Sequence, residues 1–151
     1  MQVTVECTTR APAEIAYATH LDVMQWPRFV RGIEKVEMLT QGPPRVGSRF
    51  RETRLMFGRR ASEEMTIAEL VPAQRQVLTA ENHGTRYTAT ATFTPQEGGT
   101  LIRLHFEGAP VSLLARLMSG LAMLMAGTVR KQLQADLDDV AAEADRRAGA
   151  G

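Results

Sequence analysis

Apolar and polar residues alternate from the start of the chain. Val3, Val5 and Cys7 are interleaved with Gln2, Thr4 and Glu6, the period-two pattern of a strand with one dry face. The period then lengthens. APAEIAYATHL (11–21) reads as a short helix opened by Pro12, with Thr9 or Arg10 in the approach to its cap. DVMQW (22–26) reads as a second helix, capped by Asp22 and stopped by Pro27. Alternation returns with GIEKVEMLT, which the turn QGPPRVG follows. Residues 48–57 and 60–71 read as a hairpin turning at Gly58-Arg59, with Val71-Pro72 ending its second strand. QRQVLTAEN, TRYTATATFT and GTLIRLHFEG supply three more strands, divided by His83-Gly84 and PQEGG.

After Gly108-Ala109-Pro110 a long helix is expected over 112–145. Its first half carries two apolar stripes, Leu114-Leu117-Leu121-Leu124-Thr128 and Met118-Ala122-Met125-Val129; only the second continues, as Leu133, Leu137 and Val140. The second half therefore needs one partner surface and the first half more than one. Placing the continuous stripe on the sheet turns the leucine stripe toward the short helices or a cavity and leaves Met123 at the edge. Gly120 and Gly127 each cost about 1 kcal/mol against alanine in a helix interior, which suggests close backbone approach or a bend. Residues 117–129 are uncharged but too few to cross a bilayer, which takes about 20 apolar residues. No stable membrane insertion is expected.

The order strand, two short helices, six strands, long helix predicts an α+β domain. In it an antiparallel meander has one face covered by the C-terminal helix. Residues 1–147 are expected to form this single domain and 148–151 a flexible tail, within the 151-residue chain. Net charge is +1, which offers no clustered basic field for nucleic acid. The single cysteine, Cys7, excludes an internal disulfide and suits a reducing compartment; the first ten residues lack the apolar run of a signal peptide. A cytoplasmic location is expected. His20, His83 and His105 stand at no metal-ligand spacing, Ser62 and Ser119 lack a triad pattern, and VGSRF is no phosphate loop. No metal or other cofactor is expected.

DVMQWPRFVRGIEKVEML resembles the second-helix-to-strand segment of the START-like (SRPBCC) superfamily. That group includes polyketide cyclase/dehydrase-like proteins, ubiquinone-binding START proteins and the birch pollen allergen group. The matching positions are Asp22, Trp26, Pro27, Phe29, Gly32, Ile33 and Val36; VGSRFRET and ELVPAQRQVLTA also resemble the family's later strands. The resemblance implies the helix-grip fold, a curved seven-stranded antiparallel sheet wrapped around the C-terminal helix with an elongated cavity between them. It does not name a reaction, because one fold carries many functions.

If Phe57 pairs with Arg60, then Phe50 faces Ile67, Glu52 faces Met65 and Arg54 faces Glu63. One sheet face then carries those six residues, and a charged trio lies toward one end of an otherwise apolar concave wall. Arg54 in such a wall needs a carboxylate partner. It can be a structural ion pair, or it can orient a ligand with Glu52, Glu63 or Tyr87 handling protons. From Arg28 to Arg60 eight arginines and one lysine face only Glu34, Glu37 and Glu52, whereas 136–145 supplies five acids. Solvated faces or attraction of an anionic ligand would both account for this.

The expected function is binding, transport or sequestration of a hydrophobic small molecule such as a lipid, isoprenoid or polyketide. Trp26, Phe50, Met65, Ile67, Tyr87, Phe93, Leu104, Phe106, Leu117, Leu121 and Met125 are the expected wall. The alternatives are a metal-free polyketide cyclase/aromatase or dehydrase, and a protein-interaction or stress-response module.

Overall fold

The computed structural model describes residues 1–56 and 58–150, the side chains of 121, 122 and 150 excepted. Its strands are β1 (Gln2–Thr9), β2 (Ile33–Met38), β3 (Arg49–Met56), β4 (Arg59–Val71), β5 (Arg75–Asn82), β6 (Thr85–Gln96) and β7 (Gly99–Pro110). They form one antiparallel sheet in the order β1-β7-β6-β5-β4-β3-β2. Five hairpin connections make the β2–β7 meander, and β1 closes against β7, so β1 and β2 are the free edges. Between them run α1 (Ala13–Leu21), a 3-10 turn (Val23–Gln25) and α2 (Trp26–Phe29). Across the concave face lies the C-terminal helix α5 (Ala126–Ala150). This is the helix-grip fold.

Several details differ from expectation. Pro27 does not stop a helix; it lies in the first turn of α2, where a missing N–H costs nothing. Asp22 makes no capping bond and accepts instead from Arg147 at 2.9 Å. The β3–β4 pairing is two residues tighter than expected, with Met56 opposite Arg59, Phe50 opposite Met65, Glu52 opposite Glu63 and Arg54 opposite Ala61. The two-residue difference leaves the faces unchanged. Gly58, at φ 77°, lies within the turn, and Phe57 lies outside the described residues.

The C-terminal helical region is also not one rod. Two short helices, α3 (Leu113–Leu117) and α4 (Ser119–Leu124), precede α5, with breaks at Met118 and Met125. Nothing approaches a Cβ built at Gly120 or Gly127, so neither glycine serves a close backbone contact. α5 itself continues to Ala150, past the expected end at 145. Its Leu137, Val140, Ala141 and Ala144 are buried, as the continuous stripe requires.

That stripe leans to one side. Leu137 and Ala141 pack with Val3, Val5, Ile102 and Leu104, the β1–β7 half of the sheet. On the other side the acids of α5 reach arginines of the α2–β3 region. Arg31 pairs with Asp139 at 3.1 Å, Arg54 with Asp136 at 3.0 Å, and Arg28 with Glu143 at 2.5 Å. Glu143 also accepts from Arg146 and Arg147, and the Arg28 and Arg147 guanidiniums flank the Phe29 ring at 5.7 and 5.6 Å. Three of the eight arginines between 28 and 60 thus pair with acids of α5, while Arg49 and Arg51 share Glu64 and Arg60 pairs with Glu34.

Glu143 is 3% exposed. Burial works against its ionisation, but the bonds from Arg28, Arg147 and Arg146 prevail and hold its carboxyl down to about 2. A carboxyl so depressed stabilises the fold fully above the ordinary glutamate range and loses that contribution as pH falls toward 2. Glu143→Gln is expected to lower stability by about 2 kcal/mol at pH 7. In urea unfolding followed by circular dichroism, the gap from wild type should narrow below pH 4.5; a constant gap would refute the assignment.

Candidate ligand-binding site

Because α5 packs on the β1–β7 half and reaches β3 through long side chains, a space remains between helix and sheet. It is a cavity of about 470 Å³, within the roughly 300–1,000 Å³ that small-molecule sites occupy. α5 contributes Met125, Val129, Leu133, Leu137 and Val140, and the sheet Met65, Leu78, Ala89, Leu104 and Phe106. Trp26 and Val30 line its floor, and Ile33, the register partner of Arg54, lines the β2 side. Met1, Met56, Asn82 and Met125 mark the opposite end, where β3 and β5 finish and β1, β4 and β6 begin.

The floor is braced by edge-to-face aromatic contacts. Tyr17 meets Phe93 at 5.6 Å, Phe93 meets His20 at 5.9 Å, His20 meets Trp26 at 5.9 Å, and Trp26 meets Phe50 at 5.6 Å. Phe93 and Phe50 are buried and support this row from beneath. His20 is the polar member. Gln76 Nε2 donates to the Tyr17 carbonyl at 2.8 Å, which leaves Gln76 Oε1, 2.5 Å from His20 Nδ1, as the acceptor. Nδ1 therefore carries the proton, and Nε2, with no protein partner among the described residues, keeps its lone pair. Burial lowers the histidine's pKa despite the Gln76 bond, so the ring is neutral near pH 7.

A charged cluster occupies the β3–β4 side near the mouth. Arg54 Nε donates to Glu52 at 2.6 Å and Nη2 to Asp136 at 3.0 Å. A Cβ at Gly32 would come within 3.4 Å of Arg54 Nη1, so glycine there leaves the guanidinium its room. Glu63, directly across the strands from Glu52, makes no ion pair among the described residues. Burial first, then the Glu52 charge, raise its pKa against the pull of Arg54. Burial likewise raises Asp136 while Arg54 opposes it. Three carboxylates thus share one guanidinium, and this end of the cavity is acidic rather than basic.

Of the residues expected to form the wall, Trp26, Met65, Tyr87, Leu104, Phe106 and Met125 line the cavity; Tyr87 and Phe106 stack with centroids 5.5 Å apart. Phe50, Ile67 and Phe93 lie in the packed core behind it, because the floor helices cover that part of the sheet. Leu117 does not face inward: it is 75% exposed on α3, which extends past the sheet's end. The Leu121 side chain lies outside the described residues. Arg54, Glu52 and Glu63 all line the cavity, as does Tyr87. Asp136 and His20 were not legible as site residues: a helical Asp or a lone His carries no spacing signal, and the carboxylate partner that Arg54 needs was sought in Glu52 and Glu63. Cys7 is no nucleophile here, since burial and then Asp138 push its thiol up to about 11. Among the described residues no cluster of metal-ligating side chains occurs.

The profile of one family, described as polyketide cyclase/dehydrase and lipid transport, matches residues 1–145. The chain belongs to this family. Solved structures with the same fold include the ZhuI aromatase/cyclase from Streptomyces sp. R1128, at TM-score 0.81 and 18% identity, with 97% of this chain and 94% of that one covered. Ara h 8.0201 superposes at TM-score 0.71 and 13% identity over 95% of this chain and 97% of its own. The di-domain aromatase/cyclase StfQ of the steffimycin biosynthetic pathway matches at TM-score 0.79 and 15% identity over 98% of this chain. The present chain spans 51% of StfQ. No curated protein matches the chain. Membership establishes a polyketide cyclase/dehydrase-like fold for hydrophobic ligands.

In this member of the polyketide cyclase/dehydrase and lipid transport family, the arginine cluster makes a signed prediction. Arg54→Met leaves Glu52, Glu63 and Asp136 buried together, which is expected to cost about 3–5 kcal/mol at pH 7. The raised pKa values of Glu63 and Asp136 mean that the folded state takes up protons first as pH falls. The penalty is present above their folded values and relieved toward ordinary carboxylate values. Thermal melts should therefore show a smaller deficit at pH 5 than at pH 7, narrowing at higher pH than the gap left by a lost carboxylate–arginine bond, which closes only below the ordinary carboxylate range; an equal deficit at both would count against the assignment.

Proposed function

We propose that the chain binds a hydrophobic small molecule, such as a lipid, isoprenoid or polyketide, and carries or sequesters it between α5 and the sheet. The observation that supports this most directly is the cavity, with its apolar walls and a few convergent polar groups at defined places. Burial of apolar surface supplies affinity, roughly 25 cal/mol per Å² before the cost of immobilisation. Polar groups set orientation: Nε2 of His20 accepts at the floor, and the carboxylates around Arg54 accept near the mouth. A ligand bearing hydroxyl or other donor groups suits both better than one ending in a carboxylate.

A metal-free cyclase or dehydrase is the second reading, favoured by a neutral imidazole and a protonatable carboxyl, Glu63, within one apolar cavity. That pairing is what general acid–base work on a polyketide-like substrate requires. Arg54 gives Nε to Glu52 and Nη2 to Asp136, so its main effect here is on those carboxylates.

Organic extraction of freshly purified protein, followed by mass spectrometry, tests the binding reading. A stoichiometric hydrophobic molecule is the expected result. Ala89→Trp, which fills the middle of the cavity, should lower the affinity for the fluorescent probe N-phenyl-1-naphthylamine by at least about tenfold. Unchanged probe affinity in a folded Ala89→Trp protein would sink the assignment to this cavity.

A further inference from the structure

The segment from Val111 to Met125 is unusual for a water-facing surface. Leu113 is 75% exposed, Leu114 71%, Leu117 75%, Met123 69% and Leu124 80%. Isolated exposed leucines need no explanation, but a contiguous apolar surface marks a place where something else docks. Leu113, Leu117 and Leu114 fall within an arc of about 100°, one face of a helix of only five residues, too short for the run of anchors that a helix seated in a protein groove presents. The segment is fixed to the body at its start, where Val111 and Ser112 donate to the Gly84 carbonyl and a side chain at Gly84 would collide with Ser112.

Charge identifies the occupant. From Val111 to Lys131 the chain carries Arg116, Arg130 and Lys131 and no acid. At the β3–β4 turn Arg59 is exposed and stands across the strands from Met56. Arg59, Arg116 and Lys131 have no acidic partner among the described residues, and Arg130 reaches only the Thr4 carbonyl. Met56 and Met125 both line the cavity, so the turn and the helical segment border one mouth. Outside the cavity itself, where Glu52, Glu63 and Asp136 lie, this surface is apolar with unpaired cations, which complements an anionic bilayer, where apolar side chains enter the acyl boundary and cations stay with the headgroups.

We propose that α3, α4 and the β3–β4 turn dock this protein on the surface of an anionic lipid bilayer, with the cavity mouth facing the lipid. The docking is interfacial, since no helix among the described residues is long and apolar enough to cross a membrane. A hydrophobic ligand could then pass between bilayer and cavity without entering water.

Co-sedimentation with vesicles tests this, using phosphatidylcholine alone or phosphatidylcholine and phosphatidylglycerol in equal parts. The wild-type chain is expected to pellet with the mixed vesicles and not with the neutral ones. Arg116→Glu/Lys131→Glu should weaken that partition by more than about tenfold, and Leu117→Glu/Leu124→Glu by at least about tenfold. Both pairs are exposed, so circular dichroism and melting should be unchanged. No binding of the wild type to mixed vesicles overturns the proposal, as does equal binding of the leucine variant. A dimer that the leucine variant splits, with no vesicle binding, overturns it in favour of a second copy as occupant. N-phenyl-1-naphthylamine binding without vesicles reads the cavity separately, so docking can fail while ligand binding stands.

Discussion

The cavity depends on how α5 is held. Hydrophobic contact fixes the helix to one half of the sheet, through Leu137 and Ala141 against Val3, Val5, Ile102 and Leu104. On the other flank Val140 joins the apolar cluster of Trp26, Phe29 and Ile33, and side-chain ion pairs do the rest, with Asp136, Asp139 and Glu143 reaching Arg54, Arg31 and Arg28. A guanidinium on a three-carbon stem bridges a gap that packed methyl groups would have closed. More extensive apolar contact on that flank would draw helix and sheet together and fill the interior. Holding one flank at arm's length separates the strength of the grip from the volume it encloses.

The two acid–arginine groups do different jobs under that constraint. Around Glu143 one carboxylate receives three arginines, and the excess positive charge is partly solvated. Around Arg54 the ratio is reversed, with Glu52, Glu63 and Asp136 facing one arginine inside the cavity wall. The first arrangement is a clasp between α5 and α2. The second is a wall fitting with unused acceptor capacity, and it gives the apolar interior a chemical polarity from mouth to floor.

Much of the fold was readable from local pattern. The threonine alternation of 87–94 and the Trp26–Gly32 segment led to the sheet, the floor helices and the superfamily. What escaped involved distance along the chain or competition between local signals. Asp136 pairs with Arg54 from 82 positions away, and no periodicity announces such a partner. Pro27 carried both a stop signal and a start signal, and the start prevailed. The β3–β4 register came out two residues tighter because the turn uses Gly58 at positive φ; face assignment survived since the difference was even. The leucine stripe misled most, because periodicity shows that a face is apolar and not what covers it. His20 was invisible as a site residue until the fold brought Gln76 to one nitrogen and the cavity to the ring.

An interior propped open in this way has a bearing on how much folded protein exists at any moment. The lining atoms of an unfilled cavity lack contacts that a packed core would supply, so the vacant form lies closer to the unfolding threshold than a chain of this length need be. A molecule that fills the space restores those contacts and adds RT ln(1 + [L]/Kd) to stability. The steady-state amount of protein would then follow the supply of its cargo, with vacant copies turned over first. The space between α5 and the sheet would act as a gauge of cellular supply as well as a place to hold the molecule.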